Sequence, residues 1–283
     1  MDTIPCPEPG VYRDMPADEY HALEAVGSTT LKTIMARSPA HCLVQREPTP
    51  DLVIGDSCHA CLLEPERFAR SYAIMPGPEV DLRSNGTPEK PGRLAWLAFQ
   101  AANPGKTCLR PTEGEQVLGM RQSVWAHKRA AALLAAAGEV ELTIIWRDES
   151  TGLMCKCRPD AVCAQYGAYA DLKTTRDAKP ENFRRQAFTL GYHLQLAYYL
   201  EGIRRFMPHI DVPVVLVVEK TAPFPVVVYD VTEGLMAAGA AAFRQALDIY
   251  ADCKRSGSWP GYSSGIELLD LPRWAASHEG SLV

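Results

Sequence analysis

Arg158-Pro159-Asp160, followed after ten residues by Asp171-Leu172-Lys173-Thr174-Thr175, is the stretch around which the chain organises itself. Val140 to Asp148 is rich in β-branched and aromatic residues, Asp148-Glu149-Ser150-Thr151-Gly152 is a turn cluster, and Leu153 to Val162 is strand-like again, which predicts a β-hairpin. Ala164 to Ala168 makes a second turn containing Gly167, and Tyr169 to Thr174 reads as a third strand. Asp160 and Asp171 then fall on neighbouring strands. Alternate side chains of a strand share a face, so Asp171 and Lys173 project together while Leu172 turns into the core.

Two carboxylates and an ammonium therefore converge. Buried without company they would be costly, but a hard divalent cation such as Mg²⁺ takes oxygen ligands at roughly 2.1 Å and satisfies both acids. A neighbouring lysine can hold or deprotonate a water aimed at a phosphorus atom, while the cation offsets charge on the phosphate oxygens. An Asp-x-Lys pair on a strand is by itself most often a solvated face with a weak ion pair. Asp160, at hairpin distance and next to Pro159, together with the flanking motifs, sets this chain apart from that case. With the site chemistry on a strand, Asp171→Ala and Lys173→Ala are both expected to abolish hydrolysis and spare the fold.

Asp160 with Asp171-Leu172-Lys173 is similar to the PD-(D/E)xK nuclease signature, and Gln195-Leu196-Ala197-Tyr198-Tyr199 resembles the Gln-x-x-x-Tyr motif of its RecB-like branch. Upstream, Gly55-Asp56-Ser57-Cys58-His59-Ala60-Cys61-Leu62-Leu63-Glu64-Pro65 looks like the helix that supplies a histidine metal ligand there. With Gly10-Val11-Tyr12, Tyr20-His21, Ser38-Pro39-Ala40-His41 and Gly191-Tyr192-His193, the resemblance is to the nuclease domain of the RecE (exonuclease VIII) family, over roughly Gly10 to Phe206. It implies an α/β fold with a restriction-endonuclease-like core, a central mixed sheet flanked by helices. It implies metal held by His59, Asp160, Asp171 and the main-chain carbonyl of Leu172, and catalysis by Asp160, Asp171, Lys173 and Gln195. DNA contacts fall to Tyr192, Gln195, Tyr199, Thr174, Arg184 and Arg185. The implied activity is Mg²⁺-dependent digestion (Mn²⁺ substituting) of linear double-stranded DNA from 5′ ends, leaving 3′ overhangs. The implied partners are other copies in a ring, tetrameric or trimeric, and a RecT-type single-strand annealing protein of a phage or prophage.

A chain of 283 residues, 47% hydrophobic and 22% charged, suits a globular protein, here expected as one domain. No apolar run reaches the roughly 18 residues of a membrane span, and Met1-Asp2-Thr3-Ile4-Pro5 lacks the pattern of a signal peptide, so the cytoplasm is the expected compartment. Nine cysteines without a secretory signal favour reduced thiols. Cys58-x-x-Cys61 falls on a helical pattern and Cys155-x-Cys157 on a strand, so both read as buried small hydrophobes rather than zinc ligands. Only Cys253 lies near the C-terminal end, which does not support an iron–sulfur cluster. The net charge of −5 requires any DNA contact to use a concentrated basic surface, and Arg176, Lys179, Arg184, Arg185, Arg204 and Arg205 crowd into one segment.

Residues 1–9, with three prolines, read as a loose arm. Ala17 to His21, Thr29 to Arg37 after Ser28, and a turn from Ser38-Pro39 read as short helices. Leu52 to Leu63 is a helix on which Gly55 and His59 share a face, the glycine permitting close approach of another backbone. Glu64 is a lesser candidate that caps or binds basic groups. Met75 to Arg93 reads as a loop placed either to close over DNA or to contact a neighbouring subunit, or as a plain insertion. Helices follow at Leu94 to Ala102 and Thr112 to Ala137, then Pro180 to Phe188 and Tyr192 to Phe206. Val212 to Glu219 and Pro225 to Val231 are strands, and Glu233 to Lys254 is a long helix. The tail, 256–283, carries Trp259-Pro260-Gly261-Tyr262, suited to docking on the body or on another subunit. Three other readings share these features: a RecB-like nuclease of other polarity or endonuclease activity, a catalytically silent DNA-binding scaffold, and a metal-binding protein using the cysteines.

Overall fold

The computed structural model describes residues 4–44, 49–77 and 90–271. It begins with β1 (Gly10–Tyr12), α1 (Ala17–Ala22), α2 (Ser28–Ala36), a 3-10 turn at Pro39–Leu43, α3 (Pro50–Leu63) and α4 (Pro65–Ser71). Next come β2 (Tyr72–Ile74), α5 (Lys90–Ala102), β3 (Thr107–Leu109), α6 (Pro111–Ala126) and α7 (Lys128–Ala135). The strands β4 (Glu139–Val140), β5 (Thr143–Arg147), β6 (Met154–Cys157), β7 (Ala161–Cys163) and β8 (Ala168–Thr175) follow. The last are α8 (Pro180–Thr189), α9 (Tyr192–Phe206), β9 (Val212–Glu219), β10 (Val226–Asp230) and α10 (Glu233–Ser256).

A five-stranded sheet of order β10-β9-β8-β7-β4 forms the centre. β8 and β9 run parallel in a register that sets Asp171 beside Val215 and Lys173 beside Val217, and the remaining pairs are antiparallel, so the sheet is mixed. Strand alternation sorts its side chains. Tyr169, Val215 and Val217 bury themselves against α2, α9 and α10 with Tyr198 and Phe243, whereas Leu172, Leu216 and Val218 pack against α3 and α6 with Cys58, Val117 and Met120. Helices thus cover both faces, the α/β arrangement expected of the sequence. On the α9 side the packing is close: a β-carbon at Gly202 would lie 2.6 Å from the Trp146 ring, and one at Gly239 of α10 would lie 2.1 Å from the His193 carbonyl oxygen.

The predicted hairpin exists as β5 and β6, but its second strand is not continuous over 153–162. β6 stays in a three-stranded sheet, β1-β5-β6, while β7 joins the central sheet. The reason sits between them. Pro159 has no N–H to give a ladder, and the buried Arg158 guanidinium donates to Thr143 Oγ1 from Nε (2.9 Å) and Nη2 (2.6 Å), and to the Met15 carbonyl (2.8 Å). Arg158-Pro159-Asp160 is therefore a crossing between sheets, and it delivers Asp160 to the flank of β8.

Other differences are local. The helix expected over 112–137 is divided at His127, whose ring Nδ1 accepts from Ala130 N (3.2 Å) and caps α7 as a new start. The short parallel pair β2 and β3 was not legible as strands. Of the loop expected over 75–93, residues 78–89 lie outside the described residues, and 90–93 already belong to α5. Gly55 does face β8, but a β-carbon there would meet only the Thr174 hydroxyl, at an ordinary 3.4 Å, so the glycine is not demanded by a backbone approach. Ile4 bridges Leu23, and the tail lies on the body: Ala40 N donates to the Pro260 carbonyl (3.1 Å) and Trp259 meets Tyr250 edge-on at 5.4 Å. Residues 272–283 lie outside the described residues. No described helix is long and apolar enough to cross a membrane.

Candidate active site

The parallel strand β8 presents Asp171 and Lys173 to α9, as its alternation requires. Lys173 Nζ contacts Asp171 Oδ2 at 2.6 Å, and Gln195 Nε2 donates to Asp171 Oδ1 at 2.8 Å. Gln195 is in turn held by α2, where Lys32 Nζ donates to its Oε1 at 2.6 Å. Tyr192, one turn before Gln195, lays its ring 5.1 Å from Lys173 Nζ and 5.7 Å from Lys32 Nζ. The aromatic face and the single carboxylate share two cations between them.

Asp160 enters from the other edge of β8. Its Oδ2 accepts from Leu172 N at 2.5 Å, beyond the point where β7 pairs with β8, so a side chain replaces the missing strand. A strand residue's N–H and C=O point to the same side, and the Leu172 carbonyl therefore also faces Asp160. From α3, His59 Nδ1 stands 3.7 Å from Asp160 Oδ2. A third group joins them: among the described residues, His59, Glu141 and Asp160 are brought together with one ligand atom each inside a 4.8 Å radius of mutual distance. Glu141 sits between β4 and β5 with φ 49°, a left-handed backbone unusual for a glutamate, and its N donates to the Asp160 carbonyl at 3.1 Å. Sequence reasoning missed Glu141, because nothing in Glu139-Val140-Glu141 signals either that backbone or the partner.

The three share a cavity of about 440 Å³ with Tyr20, Arg158 and Tyr199. Tyr199 is buried and reaches this cavity one turn after Gln195. Thr174 faces α3 rather than α9. Arg184 and Arg185 lie exposed on α8. The basic segment does not form one free surface: Arg176 is engaged by Asp51, Lys179 approaches Glu181 (3.9 Å), and Arg205 contacts Glu149 (3.2 Å) and Glu201 (2.8 Å). Glu64 accepts from Arg67 at 2.9 Å. The nine cysteines are free thiols, and none belongs to the cluster able to share a metal ion.

Electrostatics separate the two halves. Burial, joined by the charges of Asp160 and Glu64, raises the Glu141 carboxyl to about 8. Burial likewise raises Asp160, opposed by His59 and reinforced by Asp171. Two acids that resist ionising beside an imidazole form a donor set that a hard divalent cation completes, and this is the fit of the site to such an ion. Lys173 is the opposite case: burial works against its charge, but Asp171 and Asp160 outweigh it and hold the ammonium above its usual range. Lys32 is lowered to about 8 by burial and by Lys173, with Asp171 opposing. With its acids unshared, Lys173 is thus held as an ammonium that can donate.

A mixed sheet with Asp171-x-Lys173 on its inner parallel strand, an aspartate crossing in beside it and a histidine from a covering helix define a nuclease of the PD-(D/E)xK superfamily. The chain belongs to the family described as PDDEXK-like domain of unknown function (DUF3799), which matches residues 28–272. The family places it in the superfamily and not specifically among RecE-like exonucleases. In fold it is similar to a solved chain from Eubacterium rectale described as a candidate exonuclease, with a TM-score of 0.60, 12% identity, and coverage of 96% of this chain and 100% of that one. No curated protein matches the sequence.

Proposed function

We propose that this nuclease is a divalent-metal-dependent exodeoxyribonuclease acting on linear double-stranded DNA from 5′ ends, with Mg²⁺ as the physiological ion and Mn²⁺ as a substitute. The carrying observation is the juxtaposition of the His59, Glu141 and Asp160 cluster with a lysine ammonium already locked on Asp171. His59, Asp160 and Asp171, with the Leu172 carbonyl and Glu141 beside them, would hold the ion. When bound, such an ion supplies charge stabilisation to phosphate oxygens and lowers the pKa of a bound water.

The chain's own residues do the rest. Lys173 orients or activates the attacking water and offsets charge growing on the phosphate. Gln195 fixes Asp171, and Lys32 fixes Gln195, so the ammonium is aimed before substrate arrives. Tyr192 and Tyr199 flank the path of the strand. The RecE-like motifs and the description of the Eubacterium rectale chain support exonuclease over endonuclease, with product strands suited to a RecT-type annealing partner. A homo-oligomeric ring, tetrameric or trimeric, around duplex DNA would reconcile processive binding with a net charge of −5. The test is digestion of a linear duplex beside its closed circle, with Mg²⁺ or EDTA. Loss of the linear form alone supports the proposal, and cutting of the circle replaces it with an endonuclease.

A further inference from the structure

Beside Tyr192 lies a second cavity, of about 370 Å³, between α8, the start of α9, β10 and the start of α10. Its walls are aromatic. Phe183 stacks with Tyr229 (5.3 Å, 19° between planes), and Phe188 stacks on His193 (4.7 Å, 12°). Phe188 is nevertheless 60% exposed, so this stacked pair leaves a ring surface open to solvent. Two polar atoms of the lining residues, His193 Nδ1 and Tyr229 Oη, are buried with no hydrogen-bond partner among the described residues. At the rim Arg184 is exposed and pairs with no acid among the described residues, while the rim's Asp230 turns to Arg129 at 3.9 Å.

We infer that this cavity takes an unpaired nucleobase of the DNA strand whose phosphates pass Lys173. The inference rests on the nuclease reading for the identity of the strand. A flat ring system matches the aromatic walls, and Arg184 at the rim would meet the attached phosphate. Tyr192 belongs to both sites, with its ring 5.1 Å from Lys173 Nζ and 6.2 Å from Phe183, so one nucleotide bridges them. Base capture here would hold a strand end single-stranded as it enters the site.

The experiment uses the whole chain in EDTA, so that binding is read without hydrolysis. Six-nucleotide single strands, each lacking the base at one position, are compared with the intact strand. The wild type should bind the intact strand about fivefold or more tighter than the strand lacking the captured base. Phe188→Ala, which removes an exposed ring, and Leu235→Trp, which fills the cavity, should both erase that ratio. Equal binding of all strands by the wild type, or a ratio kept in both variants, would overturn the inference. Absence of hydrolysis when Mg²⁺ is restored, with the base preference intact, would break the nuclease reading and leave the pocket standing.

Discussion

The acids gathered at β8 are partnered in two different ways. On the α9 side Asp171 is 1% exposed: its Oδ1 accepts from Gln195, which Lys32 steadies, while its Oδ2 meets Lys173 Nζ as an ion pair at 2.6 Å and has no hydrogen-bond partner among the described residues. On the β7 side Asp160 and Glu141 sit together, offset by His59 and the Leu172 amide and, without direct contact, by Lys173, Arg158 and Arg67. One half holds its ammonium by an ion pair and a glutamine, and the other, unfinished half gathers two acids around an imidazole. The lesson is a division of labour: the protein preorganises the group that must not move and leaves open the place where charge is to be supplied.

The largest effect should come from the Lys173 half. Lys173→Met or Asp171→Asn should lower hydrolysis at least ~100-fold, as measured by single-turnover rates at a temperature where thermal melts show each variant folded. Asp171→Ala differs from what the sequence suggests. Removing the carboxylate strands a largely buried ammonium, so a loss of about 3–5 kcal/mol in denaturant unfolding is expected, and an unchanged midpoint would contradict the pairing.

The unfinished half should answer to metal. Glu141→Gln and His59→Ala should each raise the cation concentration for half-maximal activity at least ~10-fold while leaving the saturated rate nearer to wild type. An unaltered metal titration in Glu141→Gln would remove that residue from the ligand set.

A smaller effect is readable in pH. Glu141 has its folded pKa raised from 4.5 to about 8, so the folded state holds a proton that the unfolded chain releases in that interval. The corresponding stability is fully present below about pH 4.5 and is lost as pH rises through about 8. Melting of the EDTA-treated protein should show this decline, Mg²⁺ should flatten it, and Glu141→Gln should lack it. Least of all, Lys32→Gln should slow turnover about three- to tenfold, since it acts through Gln195. Lys32 loses charge near pH 8 in the wild type, so the variant should also lose the rate decline above that pH.

These contrasts track what the sequence could reveal. Period-two and period-four spacing put Asp171 with Lys173 and Gln195 with Tyr199 on shared faces without knowledge of the tertiary fold, and α9 and β9 fall where the pattern put them, while a site role for Gln195 and Tyr199 came through the family resemblance. His59 was legible only through a family resemblance. Glu141 and Lys32 were not legible, because each depends on a distant meeting: Glu141 with the Asp160 carbonyl, Lys32 with a glutamine 163 positions later. The break at Pro159 was hidden for the same reason. A proline in a strand-like run can mark an edge or a crossing, and the deciding partner of Arg158 is Thr143 on another strand.

The most direct test of the central claim is release of label from 5′-labelled linear duplex, with and without Mg²⁺, beside the same duplex closed into a circle. The account predicts early release as mononucleotide from the linear form, none from the circle and none in EDTA. Hydrolysis undiminished in EDTA, or no release from either form with DNA binding retained, would contradict it.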